Sequence, residues 1–127
     1  LAPRERLEGL QIDSPFDFER QALLAVPRDF PEPNQPSYDD ATVDALRQIL
    51  AASGGGTFVL FTAYGALNRA ANALAPELRQ QGFSLLQQGQ INRQLLLERF
   101  TREPKAVLFG TDSFWEGVDV RGEALRC

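Results

Sequence analysis

Three short apolar runs, separated by stretches of helical period, constrain this chain more than any other feature. "TFVLFT" (57–62), "FSLLQQ" (83–88) and "AVLFG" (106–110) have the length and the β-branched or aromatic content of buried strands, the first reading as covered on both faces. Between the first two lies "GALNRAANALAPELRQQ", with Leu67, Ala70, Ala71 and Leu74 in helical register before Pro76, where the turn is expected to restart. Between the second and third lies "NRQLLLERFTRE", with Leu95, Leu96 and Phe100 on one face and Arg93, Glu98, Arg99 and Arg102 largely outside it. Strand, helix, strand, helix, strand calls for right-handed crossovers and a parallel sheet, hence an α/β layer fold.

The upstream chain reads differently. Residues 7–40 hold five of the eight prolines and little periodicity apart from "ALLAV" (22–26). This predicts a lead-in segment over 1–36 with one short strand and a proline-rich loop, ahead of an alternating helix and strand core over 37–127. Ser37 with Asp40 three residues on resembles a capping box, and Val43, Leu46, Ile49 and Leu50 fall on one helical face. "SGGG" (53–56) is the expected stop, since glycine accepts the left-handed conformation past a helix end.

Composition narrows the chemistry. The 127 residues, 43% hydrophobic, suffice for one core. A single Cys, Cys127, excludes a disulfide framework or a Cys-based metal site, and the absence of His removes His-based metal sites and triads, leaving carboxylates, hydroxyls and Arg. The formal charge of −4 gives the whole chain no attraction to a polyanion. Residues 1–56 carry five Arg and ten Asp or Glu, while 57–127 carry eight Arg or Lys and seven Asp or Glu, so a polyanion would prefer the second half. No apolar run approaches the roughly 18 residues of a membrane span, and a cytoplasmic setting with no membrane partner is expected. The chain has no Met and stops at "EALRC", which reads as a piece of a longer protein.

Parallel strands end on the same side, and ligands of such sheets bind outside those ends. Thr62, Tyr64, Gln88, Gly89, Thr111 and Ser113 should therefore line one edge. At that edge "GTDSFWEGVD" (110–119) crowds hydroxyls, an aromatic pair and carboxylates directly behind a strand. Residue by residue this is readable as a tight connection: Gly110 and Gly117 for turns, Asp112 and Ser113 for capping, Phe114 and Trp115 as an apolar plug.

Taken whole, "VLFGTDSFWEGVDVRGEALR" closely resembles motif V of the DinG and XPD group of superfamily 2 helicases, in which a strand ends in Gly-Thr-x-Ser-Phe-Trp-Glu-Gly-x-Asp. "SPFDFERQALLAVP" is similar to the segment leading into that group's second motor domain, "FVLFTAY" to motif IV, and "LLQQG" with "RQLLLERF" to the element between motifs IV and V. The resemblance implies a three-layer RecA-like domain of P-loop NTPase type, mainly parallel and incomplete at its C-terminus. It implies part of an ATP-dependent helicase that couples ATP hydrolysis to translocation on single-stranded DNA and to duplex unwinding, in DNA repair.

Residue roles follow from the same resemblance. Gly117 and Asp119 match the Gly-x-Asp that approaches nucleotide across the cleft, while Glu116 is either nucleotide-facing or an organiser of neighbouring Arg residues. Thr62, Gln88, Thr111 and Ser113 match positions that grip DNA phosphates, with Gly89 beside them. Phe114 and Trp115 either stack on bases or pack beneath the motif. Tyr64 faces DNA or packs on its helix, and Arg93, at a helix start, is placed for a backbone phosphate. Asp112 departs from the pattern, standing where a small residue is expected.

No catalytic residue is expected in the chain itself, because the Gly-Lys-Ser/Thr loop, the Asp-Glu pair and motif VI are missing. ATP and Mg²⁺ would be held mainly by the first motor domain of the same polypeptide, and any iron–sulfur cluster would lie outside the chain. Two other readings stay open: a free-standing α/β module that binds a ligand, phosphate or partner, and a helicase relative that has lost activity and serves as a scaffold.

Overall fold

The computed structural model describes residues 9–127. In chain order they form α1 (Phe18–Gln21), α2 (Tyr38–Ser53), β1 (Thr57–Phe61), α3 (Tyr64–Gln80), β2 (Ser84–Gln87), α4 (Arg93–Arg102), β3 (Ala106–Thr111) and α5 (Asp112–Trp115), then a 3-10 turn at Gly122–Ala124. The strands make one all-parallel sheet in the order β1, β3, β2, with Thr57 opposite Val107 and Ser84 opposite Ala106. The last strand in sequence is thus the central one. This is why β3, paired on both sides and covered on both faces, is buried at all six positions.

Period-two alternation along β3 divides the core. Val107 and Phe109 join Leu46, Leu50, Leu67, Ala70, Ala71, Leu74 and Leu78 of α2 and α3 on one face. Ala106 and Leu108 join Leu86, Leu96, Phe100 and Phe114 on the other. The chain crosses from β1 over β3 to β2 through α3 on the first face, then returns through α4 on the second. Reversing both the direction and the face preserves one hand, as parallel crossovers require. The expected α/β layering around a parallel sheet is what the chain adopts.

Several local expectations are corrected. "ALLAV" forms no strand and pairs with nothing among the described residues, and Leu23 and Leu24 are about nine-tenths exposed. A lone apolar run without a neighbouring strand has no ladder to join. The Ser37 side chain makes no capping bond; Asp39 and Asp40 in the first turn of α2 instead complement the helix dipole. Ile49 and Leu95 are exposed, so the apolar stripes of α2 and α4 are narrower than their sequences suggest. Helix α3 runs through Pro76, because Leu74 and Leu78 on either side are buried and hold the next turn in place. β1 is packed on both faces, Val59 and Phe61 on the first and Phe58 on the second, but it is an edge strand whose Leu60 is exposed. Gly54 ends α2 at φ +67° as expected.

Two contacts fasten the far end of the sheet. Arg126 and Cys127 donate their N–H groups to the Gly56 carbonyl at 2.7 and 3.1 Å, and Phe58 N–H donates to the Cys127 carbonyl at 2.7 Å, laying the tail along the outer side of β1. Glu103, just past α4, accepts from Arg99 Nε at 2.5 Å and from the Ser84 hydroxyl. The Arg99 guanidinium, then the Ser84 hydroxyl, hold the Glu103 carboxyl below the usual carboxylate range.

Candidate functional site

The carboxyl ends of all three strands lie at one edge of the sheet. The chain leaves β1 toward the α3 face and leaves β3 toward the opposite face, where Phe114 is buried. Departures to opposite faces open a crevice between neighbouring strand ends. Thr62 and Tyr64 stand on the β1 side of it and Thr111 on the β3 side.

Gly110 begins the site by leaving room. A Cβ there would stand 3.3 Å from the Phe58 ring and 3.4 Å from Phe114, so its absence lets those rings close beneath the strand end. Thr111 follows, nearly buried, and it is bound twice by Gln88: the carboxamide Oε1 accepts from Thr111 N–H at 2.7 Å and from its hydroxyl at 3.1 Å. A backbone N–H can only donate, so the facing atom is the oxygen and the Gln88 NH₂ group is turned outward. Gln88 N–H donates to the Phe109 carbonyl at 2.9 Å, extending the ladder past β2. The Ser113 hydroxyl stands 3.0 Å from that of Thr111, and Gly89 turns the chain away at φ +92°.

A second knot lies a few residues on. Arg93 Nη2 donates to the carbonyls of Phe114, at 3.0 Å, and of Glu116, and the guanidinium lies over the Phe114 ring, 5.3 Å from its centroid. The Arg93 side chain, expected on a phosphate, is in this structure engaged with the loop. Phe114 is 4% exposed and packs under the loop, so its ring offers no stacking face. Trp115 is different: 43% exposed, it rests edge-on against Phe58 with centroids 5.1 Å apart. Tyr64 is likewise about half exposed at the start of α3.

Glu116 meets an Arg through its backbone carbonyl, and its carboxylate has no ion pair among the described residues. Gly117, at φ +74°, completes a turn in which Val118 N–H donates to the Trp115 carbonyl at 3.1 Å. Asp119 is 73% exposed, with Arg121 Nη2 at 3.3 Å, and lines an open groove with Arg93, Gln94, Leu97 and Glu98. The structure thus joins Gln88, Thr111 and Ser113 in one cluster and Arg93, Phe114, Glu116 and Gly117 in another. Thr62 and Tyr64 stand across the crevice, and Asp119, paired with Arg121, lies on the groove it shares with Arg93.

Sequence reading missed a row of carboxamides beside this edge. Gln90 Nε2 donates to Gln87 Oε1 at 3.3 Å, and Gln87 Nε2 donates to Asn68 Oδ1 at 2.6 Å. Its signal was the helical spacing of Asn68, Asn72, Ala75 and Arg79, a polar stripe on a helix otherwise read for its apolar one.

For the groups that the resemblance implies, the residues fit unevenly. An exposed Asp119 carboxylate beside a glycine turn suits ribose hydroxyls, which donate to it. No group of three or more His, Cys, Asp or Glu able to hold a metal ion occurs among the described residues, and one Cys cannot ligate an iron–sulfur cluster. No described helix is long and apolar enough to cross a membrane.

The family model described as helicase C-terminal domain matches residues 46–127. The ATP-dependent DNA helicase YoaA of Escherichia coli K12 is 39% identical over 121 residues, covering 95% of this chain and 19% of that protein. YoaA of Haemophilus influenzae is 42% identical over 113 residues, covering 88% of the chain and 17% of its own length. The ATP-dependent DNA helicase DinG of Photobacterium profundum is 32% identical over 121 residues, with 92% and 17% covered. The chain spans less than a fifth of the length of these relatives. With well over half of its residues inside the matched span, including β1 to β3 and the loop behind β3, the chain belongs to the helicase C-terminal domain family, in its DinG-like branch.

Proposed function

We propose that this chain is the front portion of the second RecA-like motor domain of a DinG-type ATP-dependent DNA helicase, and that its strand-end edge meets single-stranded DNA. The observation that carries the reading is the Gln88–Thr111–Ser113 cluster at the end of β3, directly followed by the Gly117–Asp119 turn. The Gln88 NH₂ group, turned outward because Thr111 holds the other end of the carboxamide, offers neutral donors that suit phosphodiester oxygens irrespective of base, which a translocating enzyme needs. Thr62, Gln88, Ser113 and the exposed Trp115 would face DNA, with Tyr64 and Gly89 beside them and Thr111 holding Gln88 in place. Gly117 and Asp119 would face ATP bound mainly by the first motor domain, which would also supply the Mg²⁺ ligands; any iron–sulfur cluster would be held outside this chain. A contribution to DNA repair in the cytoplasm is part of the same reading.

Arg93, Phe114 and Glu116 take positioning roles in it. They fix the loop that spans the DNA and nucleotide sides, so the two ligands would sense one rigid element. ATP hydrolysis needs groups this chain lacks, and the isolated 127 residues should bind single strands weakly, in a salt-sensitive way, without turnover. Measurable ATPase activity of the purified chain would overturn this. In the full-length parent, Asp119→Ala should impair ATP use more than DNA binding, and equal loss of both would make Asp119 structural.

A further inference from the structure

A polar groove of about 360 Å³ runs along α3 at the outer edge of β2, away from the crevice between β1 and β3. Its α3 wall is Ala71, Asn72, Ala75 and Arg79, and Asn68 continues the Asn72–Ala75–Arg79 helical stripe one turn beyond it. Ala75, the small member, opens the middle. Phe83, Ser84, Leu85, Gln87 and Gln90 form the other wall, and the bonded sequence Gln90 to Gln87 to Asn68 closes the end nearest Gly89. Gln90 and Gln87 each spend one N–H and keep another, and Asn68, which only accepts, keeps its whole NH₂ group.

Two further features mark the groove as a site open to a ligand. Pro76 has no N–H, so the Asn72 carbonyl lacks the helical donor four residues on. The Asn72 and Arg79 side chains make no hydrogen bond or ion pair with the described residues. The groove therefore presents neutral side chains with both donors and acceptors, the apolar Phe83 and Leu85, and a single cation at its far end. A base edge is a pattern of donors and acceptors, and each base is joined to one phosphate anion. From this juxtaposition we infer that the groove is a nucleotide-binding extension of the DNA path: base edges meet Asn72, Gln87 and Gln90, and a phosphate meets Arg79.

The inference rests on the proposed single-strand contact at the strand ends, because the groove begins at Gln87 and Gln90 beside that edge and runs down the side of β2. A dT oligonucleotide titrated into the ¹⁵N-labelled 127-residue chain tests it directly, since side-chain NH₂ groups and Arg Nε are visible. The expected result is that Asn72, Gln87, Gln90 and Arg79 side-chain resonances shift together with that of Gln88. Arg79→Ala should weaken binding about three- to ten-fold and lower the slope of log affinity against log salt by about 0.7. Asn72→Ala should weaken it by about two- to ten-fold with the slope unchanged. Arg102→Ala, an exposed cation on α4, serves as the control for diffuse charge. If Gln88 shifts while the groove amides stay still, or if Arg79→Ala and Arg102→Ala behave alike, the groove is not part of the path. If no resonance shifts at all, the strand-end reading falls with it.

Discussion

Gln88 and Thr111 are joined by two hydrogen bonds to one oxygen, the Gln88 Oε1 that accepts both the N–H and the hydroxyl of Thr111. The pair ties the exit of β2 to the exit of β3 and fixes which end of the carboxamide faces out. Gln88→Ala leaves the nearly buried Thr111 N–H without this partner and should cost about 1–3 kcal/mol in urea unfolding. Gln88→Glu separates structure from binding. A carboxylate still accepts both bonds, so stability should stay near wild type, while the outward donors are lost and single-strand affinity falls. An unchanged affinity in the Glu variant would remove Gln88 from the DNA surface.

Arg93 offers a second test, because Trp115 is the only tryptophan and sits between the two carbonyls that Arg93 holds. Arg93→Ala should release the loop, raise acrylamide quenching of Trp115 fluorescence and cost about 1–3 kcal/mol. Arg93→Lys should recover part of the stability but not the contact with the Phe114 ring face at full strength, since an ammonium cannot lie flat on it. Unaltered quenching in Arg93→Ala would show that the loop holds itself.

Gly110→Ala places a methyl group 3.3 Å from the Phe58 ring, which must give by a few tenths of an ångström, and 3.4 Å from Phe114, at the edge of ordinary contact. Overpacking of this kind should cost about 1–3 kcal/mol, and the shift should be felt at Trp115 through Phe58. Equilibrium unfolding with Trp115 emission as the probe reads both effects at once. Wild-type stability together with a wild-type spectrum would mean that the rings have slack.

Glu103 should give acid sensitivity with a defined sign. Its carboxyl is held below the ordinary value of 4.5 in the folded chain, first by Arg99 and then by Ser84. The folded state therefore binds this proton less readily than the unfolded state. The stabilisation is present above the unfolded value and is lost as pH falls through the folded one. Urea midpoints followed downward from pH 7 should decline less steeply below about pH 4.5 in Glu103→Gln than in wild type. Parallel curves would assign the acid limb to other carboxylates.

How much of this was legible beforehand depended on whether the cause was local. Thr57–Phe61, Ser84–Gln87 and Ala106–Thr111 were readable because an apolar, β-branched run between glycine or polar stops has few alternatives. "ALLAV" had the same composition and failed, since a strand exists only by virtue of a neighbour, which composition does not record. Pro76 misled for a related reason: the burial of Leu74 and Leu78 outweighs one missing hydrogen bond, and burial is tertiary. The placement of Thr111 and Gln88 at one edge followed from parallel direction alone. Arg93 did not, because nothing in the spacing of residues 93 and 114 says that a guanidinium will close onto a loop 21 residues away. The carboxamide row was hidden on the polar side of α3, where sequence gives no reason to separate a solvated face from a groove wall.

The central position of β3 also sets a timetable for synthesis. β1 and β2 leave the ribosome first, yet neither has a hydrogen-bonded neighbour until residues 106–111 arrive to lie between them. Until then a nascent chain holds two unpaired strands and helices whose apolar stripes have no sheet to cover. The segment that closes the sheet is the one that runs on into the loop from Thr111 to Asp119, so the protein cannot acquire its architecture appreciably before it acquires its strand-end edge. Any message or nick that ends the chain ahead of Lys105 should yield an aggregation-prone product instead of a smaller folded one.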